Sequence, residues 1–103
     1  MIECVRLTTG EDLIGEVKTS PTRDSLTISK PAIIISMPKD GTMSLMLMPW
    51  LVFSETNEFT IPTTQVVTVF KPAVDLYNAY NQQFGSGIVI PDSKIDTSKI
   101  LMG

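Results

Sequence analysis

Val5-Arg6-Leu7-Thr8-Thr9-Gly10-Glu11-Asp12-Leu13-Ile14-Gly15-Glu16-Val17 is the stretch whose reading decides the fold. Its apolar residues alternate with polar ones on both sides of Gly10, the pattern of two half-buried strands joined by a tight turn. Gly15 then sits inside the second strand, on the row that faces inward with Leu13 and Val17. A glycine there marks a place where a sheet bends too sharply to admit a side chain. Two strands with that bend predict the start of a small, strongly curved antiparallel β-barrel.

Working outward, Ile2 to Leu7 reads as the first strand, with Val5 and Leu7 on one face and Ile2, Cys4 and Arg6 on the other. Leu13 to Thr19 is the second, with Glu16 and Lys18 toward solvent. Ser20-Pro21-Thr22-Arg23-Asp24 turns the chain back. Leu26-Thr27-Ile28-Ser29 alternates and runs past Lys30-Pro31 into Ala32-Ile33-Ile34-Ile35-Ser36-Met37, which is apolar on both faces. Pro31 lacks an N–H and therefore predicts a bulge or an edge at that point. Pro38-Lys39-Asp40-Gly41 predicts a hairpin turn, because Asp-Gly adopts positive φ at little cost.

The next strand is read over Ser44 to Phe53, with Leu45 and Leu47 on one side and Met46, Met48 and Trp50 on the other. Leaving those two methionines and the tryptophan wet would forgo roughly 5–9 kcal/mol, at about 1.5–3 kcal/mol for each buried side chain. That is comparable with the whole stability of a small domain, roughly 5–15 kcal/mol. A barrel interior covers one face only, so a neighbouring subunit or a helix is expected on the second. Phe59-Thr60-Ile61 resumes extension, and Gln65 to Phe70 is the last strand. A helix follows over about 72–84: Pro72 suits its first turn, and Ala73, Leu76, Tyr77, Tyr80 and Phe84 form one apolar stripe, closed by Gly85. Tyrosines at helical spacing are read as packing on the barrel rather than stacking on bases. Residues 1–85 are thus one domain, and 86–103 form a polar tail whose Ile88-Val89-Ile90 is suited to adding a strand at an adjacent edge or joining an interface.

Composition restricts the chemistry. The chain has 103 residues, no histidine and one cysteine, Cys4. A Ser-His-Asp or Cys-His pair is excluded, as is a zinc site built on imidazole. Gly10 and Gly15 have the glycine spacing of a phosphate loop, but Glu16-Val17 follows where lysine and a hydroxyl are required. Glu11, Asp12 and Glu16 are the acids nearest to a catalytic group, and the adjacent turn pair Glu11-Asp12 reads as solvated, so no enzyme, cofactor or metal is expected. No apolar run approaches the roughly 20 residues of a membrane helix, and Met1-Ile2-Glu3 carries no basic leader, so a cytoplasmic protein without membrane contact is expected. Hydrophobic residues make up 43% of the chain and charged ones only 18%. With a mean hydropathy of +0.19, self-association is the favoured way of covering the surplus apolar surface. The net charge of −3 opposes a general phosphate-binding surface, since non-specific nucleic-acid affinity comes mainly from Lys and Arg.

The pattern apolar-x-apolar-x-x-Gly-x-x-apolar-x-Gly-x-apolar over Val5 to Val17 resembles the first signature of the Sm and Sm-like family, which builds RNA-handling rings. Continued without gaps, it keeps apolar character at Leu26 and Ile28. In the intervening loop Pro21 stands where the family has an acid, Arg23 where it has a base-stacking side chain, and Ser25 where it has a base-binding asparagine. The second signature aligns with Ile61-Pro62-Thr63-Thr64-Gln65-Val66, with Pro62-Thr63 in place of Arg-Gly. The order of barrel, Met48-Pro49-Trp50 and a helix ending in Tyr80-Asn81-Gln82-Gln83-Phe84-Gly85 is similar to that of short Sm-like proteins of marine phages.

This resemblance implies a five-stranded Sm-like barrel with a C-terminal helix, assembled head to tail into a homo-oligomeric ring. About five to seven subunits are implied, five by the phage-type likeness. The last strand of one subunit would meet the fourth of the next, placing Met46, Met48, Trp50, Val66, Thr68 and Phe70 at the interface. Single-stranded RNA would meet Arg23, Ser25, Thr63 and Thr64 around the pore, acting as an RNA-binding or RNA-chaperone ring. The alternative is an assembly adaptor in the host cytoplasm that binds a host or phage protein and no RNA.

Overall fold

A bend in one long strand organises the molecule. The computed structural model describes residues 1–84; the Gly85 helix stop and the tail expected from residue 86 lie outside them. Within that span the chain forms β1 (Ile2–Leu7), β2 (Asp12–Thr19), β3 (Ser25–Lys39), β4 (Thr42–Pro49), β5 (Glu58–Pro62), a one-turn 3-10 helix (Thr63–Gln65), β6 (Val66–Phe70) and α1 (Val74–Gln83). The fold is mainly β: a single antiparallel sheet in the order β4-β3-β2-β1-β6, with β5 paired to β3 off that path.

β3 is long enough to serve two partners along one edge. Its first residues, Ser25 to Ser29, pair with β5, and its last, Ala32 to Lys39, pair with β4. Between them lies the irregularity that Pro31 predicts. Opposite β2 the register runs Glu16↔Ser29 and then Ile14↔Ala32, so Gly15 alone faces Lys30 and Pro31 together. That is a β-bulge, which bends and twists the strand carrying the extra residue. Lys30 takes a left-handed φ of 50°. Gly15 is required across from it, because a Cβ there would lie 2.8 Å from Ile28 Cγ1 and 2.9 Å from the Ser29 carbonyl oxygen.

Two expected strands change at their ends. The fourth strand stops at Pro49 instead of running to Phe53. The Trp50 N–H turns to the Pro31 carbonyl at 3.0 Å, and Leu51 has φ 50°, so the chain leaves the sheet there. The segment from Trp50 to Asn57 therefore separates β4 from β5, and the sheet holds six strands rather than five. Gln65 closes the 3-10 turn, so β6 begins one residue later than expected. The helix is shorter than 72–84 because Ala73, still extended, is its N-cap. The Asp40-Gly41 hairpin forms as read, with Lys39 opposite Thr42 and φ of 49° and 78°, the twist a two-residue turn needs.

The sheet buries apolar side chains on both faces. On one side Val5, Leu7, Leu13, Val17, Leu26, Ile28 and Ile61 form the inner core, the cluster between the strands, with Trp50 and Phe59 against it. On the other side Cys4, Ile14, Ala32 and Leu47 pack under Tyr80 of α1, supported by Ile34, Leu76, Ala79 and Phe84. The helix thus covers the second face at Leu47, and Tyr80 is core as its spacing indicated. The Tyr80 hydroxyl donates to the Lys30 carbonyl at 2.6 Å, and its ring stacks on Phe84. No helix among the described residues is long and apolar enough to cross a membrane.

Two substitutions test the bend. Gly15→Ala is expected to cost about 1–3 kcal/mol from overpacking against backbone, and Tyr80→Phe about 0.5–1.5 kcal/mol from one lost hydrogen bond. Urea unfolding midpoints measure both, with Gly15→Ala the more damaging.

Candidate functional site

Three of the four residues assigned to RNA come together at one end of the sheet. The loop between β2 and β3 is closed by the Ser20 N–H on the Ser25 carbonyl at 3.0 Å and by the Arg23 N–H on the Ser20 carbonyl at 2.9 Å. Arg23 stands at φ 61°, a turn conformation that leaves its side chain exposed. The 3-10 turn after β5 docks on this loop: the Thr63 N–H donates to the Asp24 carbonyl at 3.0 Å, and the Thr63 hydroxyl to the Arg23 carbonyl at 3.2 Å. Ser25 faces Pro62 in the β3–β5 register. Thr64 follows on the same turn and is exposed.

The charge of this cluster is balanced. Neither of the ion pairs among the described residues involves Arg23; they join Met1 to Glu16 and Arg6 to Asp12. Beside Arg23, the Asp24 carboxylate accepts hydrogen bonds from the Thr22 hydroxyl at 2.7 Å and the Ser20 hydroxyl at 3.0 Å. Those hydroxyls, Thr22 first, hold Asp24 below its ordinary value of 3.8. Chemically the surface offers one guanidinium for a phosphate or a base face, one fixed carboxylate, and several hydroxyls for base edges. Sequence reasoning missed Asp24, although Ser20-x-Thr22-x-Asp24 is a recognisable hydroxyl–carboxylate turn pattern.

The residues assigned to the assembly interface lie on or beside the two strands that end the sheet. On β4, Met48 is exposed and Met46 half-buried, and Met43 and Leu45 are exposed as well; on β6, Val67, Thr68, Val69 and Phe70 are exposed and Val66 is half-buried. Trp50 behaves differently. It packs on the inner core, meets Phe59 edge to face at 5.5 Å between ring centroids, and donates its indole N–H to Glu11 Oε2 at 3.1 Å. Glu11 is therefore a structural acceptor rather than a solvated acid. Asp12 is likewise engaged, in a two-pronged bond with Arg6 at 2.7 and 2.9 Å, which holds its carboxyl below the ordinary 3.8.

Two open clefts flank Lys30. One, about 310 Å³, is walled by Pro31, Pro49, Trp50, Phe59 and Phe84 with Lys30, Asn57 and Gln83 at hand. The other, about 400 Å³, lies under α1 beside Glu16, Tyr77, Tyr80 and Asn81. Burial raises the Tyr80 hydroxyl to about 12, with help from the Glu16 charge. The Cys4 thiol is pushed up to about 11, by burial first and by the Asp12 charge second. Among the described residues no group of three or more acids and thiols is placed to hold a metal ion. No protein-family model matches this chain, and no curated protein matches it.

The two lowered carboxylates contribute to the acid limb of stability. Their folded values lie below 3.8, so their contribution is present above that pH and is lost as pH falls through the folded values. The urea midpoint is expected to drop between pH 5 and pH 2, and Asp24→Asn to flatten that drop. Cys4 should leave Ellman's reagent unreacted at pH 8 in the folded protein and react at once in denaturant.

Proposed function

We propose that this chain is an Sm-like ring protein that assembles through the outer edges of β4 and β6 and presents the Arg23 loop to single-stranded RNA. The observation that carries the reading is the pair of end strands. Each leaves an edge without a strand partner among the described residues, and each bears exposed apolar side chains. An exposed apolar edge is a template for another strand. Because the two edges differ, joining one to the other is a head-to-tail contact, which makes a ring if the rotation closes. Barrel geometry is supported by the bend in β3, by the passage of β5 through a 3-10 turn into β6, and by the pairing of β6 with β1.

The RNA part rests on the cluster of Arg23, Ser25 and Thr63 with Thr64 beside it. One cation per subunit is weak alone, but repetition around a ring multiplies it. A second reading, a protein-binding adaptor that does not touch RNA, is favoured by one observation: the ionised Asp24 next to Arg23, in a chain of net charge −3.

Fluorescence anisotropy with short U-rich and A-rich RNA at two salt concentrations separates these readings. The RNA reading predicts binding at low salt that weakens at high salt and a loss of at least tenfold in affinity for Arg23→Glu. Absence of binding at low salt removes it and leaves the adaptor.

A further inference from the structure

The segment that separates β4 from β5 carries the most exposed apolar residue of the described chain. Leu51, Val52 and Phe53 are 45, 61 and 96% exposed, so the Phe53 ring touches almost nothing among the described residues. The loop around them is nonetheless fixed. Its base is held by the Trp50 N–H on the Pro31 carbonyl and by the Lys30 N–H on the Asn57 carbonyl at 2.6 Å. Its interior is closed by the Ser54 N–H on the Leu51 carbonyl at 3.0 Å and by the Thr56 N–H on the Ser54 hydroxyl at 3.1 Å. Leu51 holds φ 50°, an unfavourable conformation for leucine, and the chain turns there so that three apolar side chains stand in solvent. A braced, exposed aromatic tip is the form of an anchor awaiting a pocket.

A pocket of the matching chemistry exists on the same chain. The 310 Å³ cleft beside the loop base is walled by two prolines and three aromatic rings together with Lys30, Asn57 and Gln83, and it is open at the surface. At about 310 Å³ the open cleft is large enough for a phenylalanine ring. Trp50 and Phe59 already meet edge to face in its wall, an arrangement a third ring extends readily. Phe53 does not occupy its own cleft, since it is almost wholly exposed while its loop springs from Trp50 and Asn57 on the cleft's rim.

We propose that Phe53, with Leu51 and Val52, inserts into the cleft of Pro31, Pro49, Trp50, Phe59 and Phe84 on a second copy of this chain. Tip and cleft are different surfaces of one chain, so insertion either repeats head to tail, the polarity that joining β4 to β6 requires, or closes reciprocally as a two-fold dimer, which the sedimentation mass distinguishes. Pro49 ends β4 and forms part of the wall, which makes the cleft continuous with the exposed β4 edge. Three side chains alone fall short of the roughly 800 Å² per partner of a stable interface, so the tip adds to strand pairing rather than replacing it. This inference therefore rests on the self-assembly part of the proposed function and is independent of RNA.

The full chain and its Phe53→Asp and Phe53→Leu variants are compared by sedimentation velocity across a dilution series, with acrylamide quenching of Trp50, the only tryptophan, as the cleft's reporter. Wild type is expected to shield Trp50 as it assembles. Phe53→Asp should raise the dissociation midpoint at least tenfold and leave Trp50 open to quencher, and Phe53→Leu should restore most of both. Unchanged assembly and unchanged shielding in Phe53→Asp overturn the insertion while leaving the ring intact. Shielding of Trp50 that persists in dissociated Phe53→Asp also overturns it, because the cleft is then filled from within the chain. A wild type that never assembles overturns both the insertion and the ring.

Discussion

The structure turns on the meeting of Gly15 with the Lys30-Pro31 bulge. Two residues of β3 face one of β2, and the side chain missing at Gly15 is the space into which Ile28 and the Ser29 carbonyl move. Three polar backbone groups at the bulge find partners elsewhere in the chain. The Lys30 N–H goes to Asn57 and the Pro31 carbonyl to Trp50, tying down both ends of the β4–β5 loop. The Lys30 carbonyl takes the Tyr80 hydroxyl, which pins the helix across the outer face. A left-handed non-glycine residue costs of order 1–3 kcal/mol and persists only when its surroundings over-determine it; three long-range hydrogen bonds do so here.

From this one irregularity the candidate surfaces follow. The bend lets β3 pair with β5 before it and β4 beyond it, so one side of the sheet ends in β4 and β5 and the other in β6, and among the described residues apolar side chains of β4 and β6 stay exposed. The same bend brings the Arg23 loop against the Thr63 turn, because β5 must lie along the first half of β3 for Pro62 to face Ser25. Both clefts open beside Lys30 for the same reason. The exposed strand edges, the hydroxyl cluster and the cleft beside Lys30 are consequences of a single geometric device, and the proposed ring would use them together.

Much of this was legible in the residues. Gly15 on an apolar row predicts the bend, Pro31 the bulge, Asp40-Gly41 the hairpin and Tyr80 the docked helix, since each is a local conformational requirement expressed in one or two side chains. What escaped the sequence depends on long-range partners. Trp50-Leu51-Val52-Phe53 continues the apolar run of β4, and only the Pro31 carbonyl that captures the Trp50 N–H reveals that the strand has ended. Glu11 reads as a solvated turn acid until Trp50, 39 positions away, is seen to donate to it. The pairing of Thr63 with Arg23 across 40 positions of chain is equally invisible to local pattern, although the resemblance placed both in one loop set.

The central claim is that the uncovered edges of β4 and β6 join head to tail in a closed ring. Multi-angle light scattering on the full chain as it leaves a size-exclusion column tests it most directly. The account predicts one species whose mass is five to seven times that of the 11.3 kDa chain, unchanged over a tenfold range of concentration. A monomer, or a ladder of masses that grows with concentration, contradicts it.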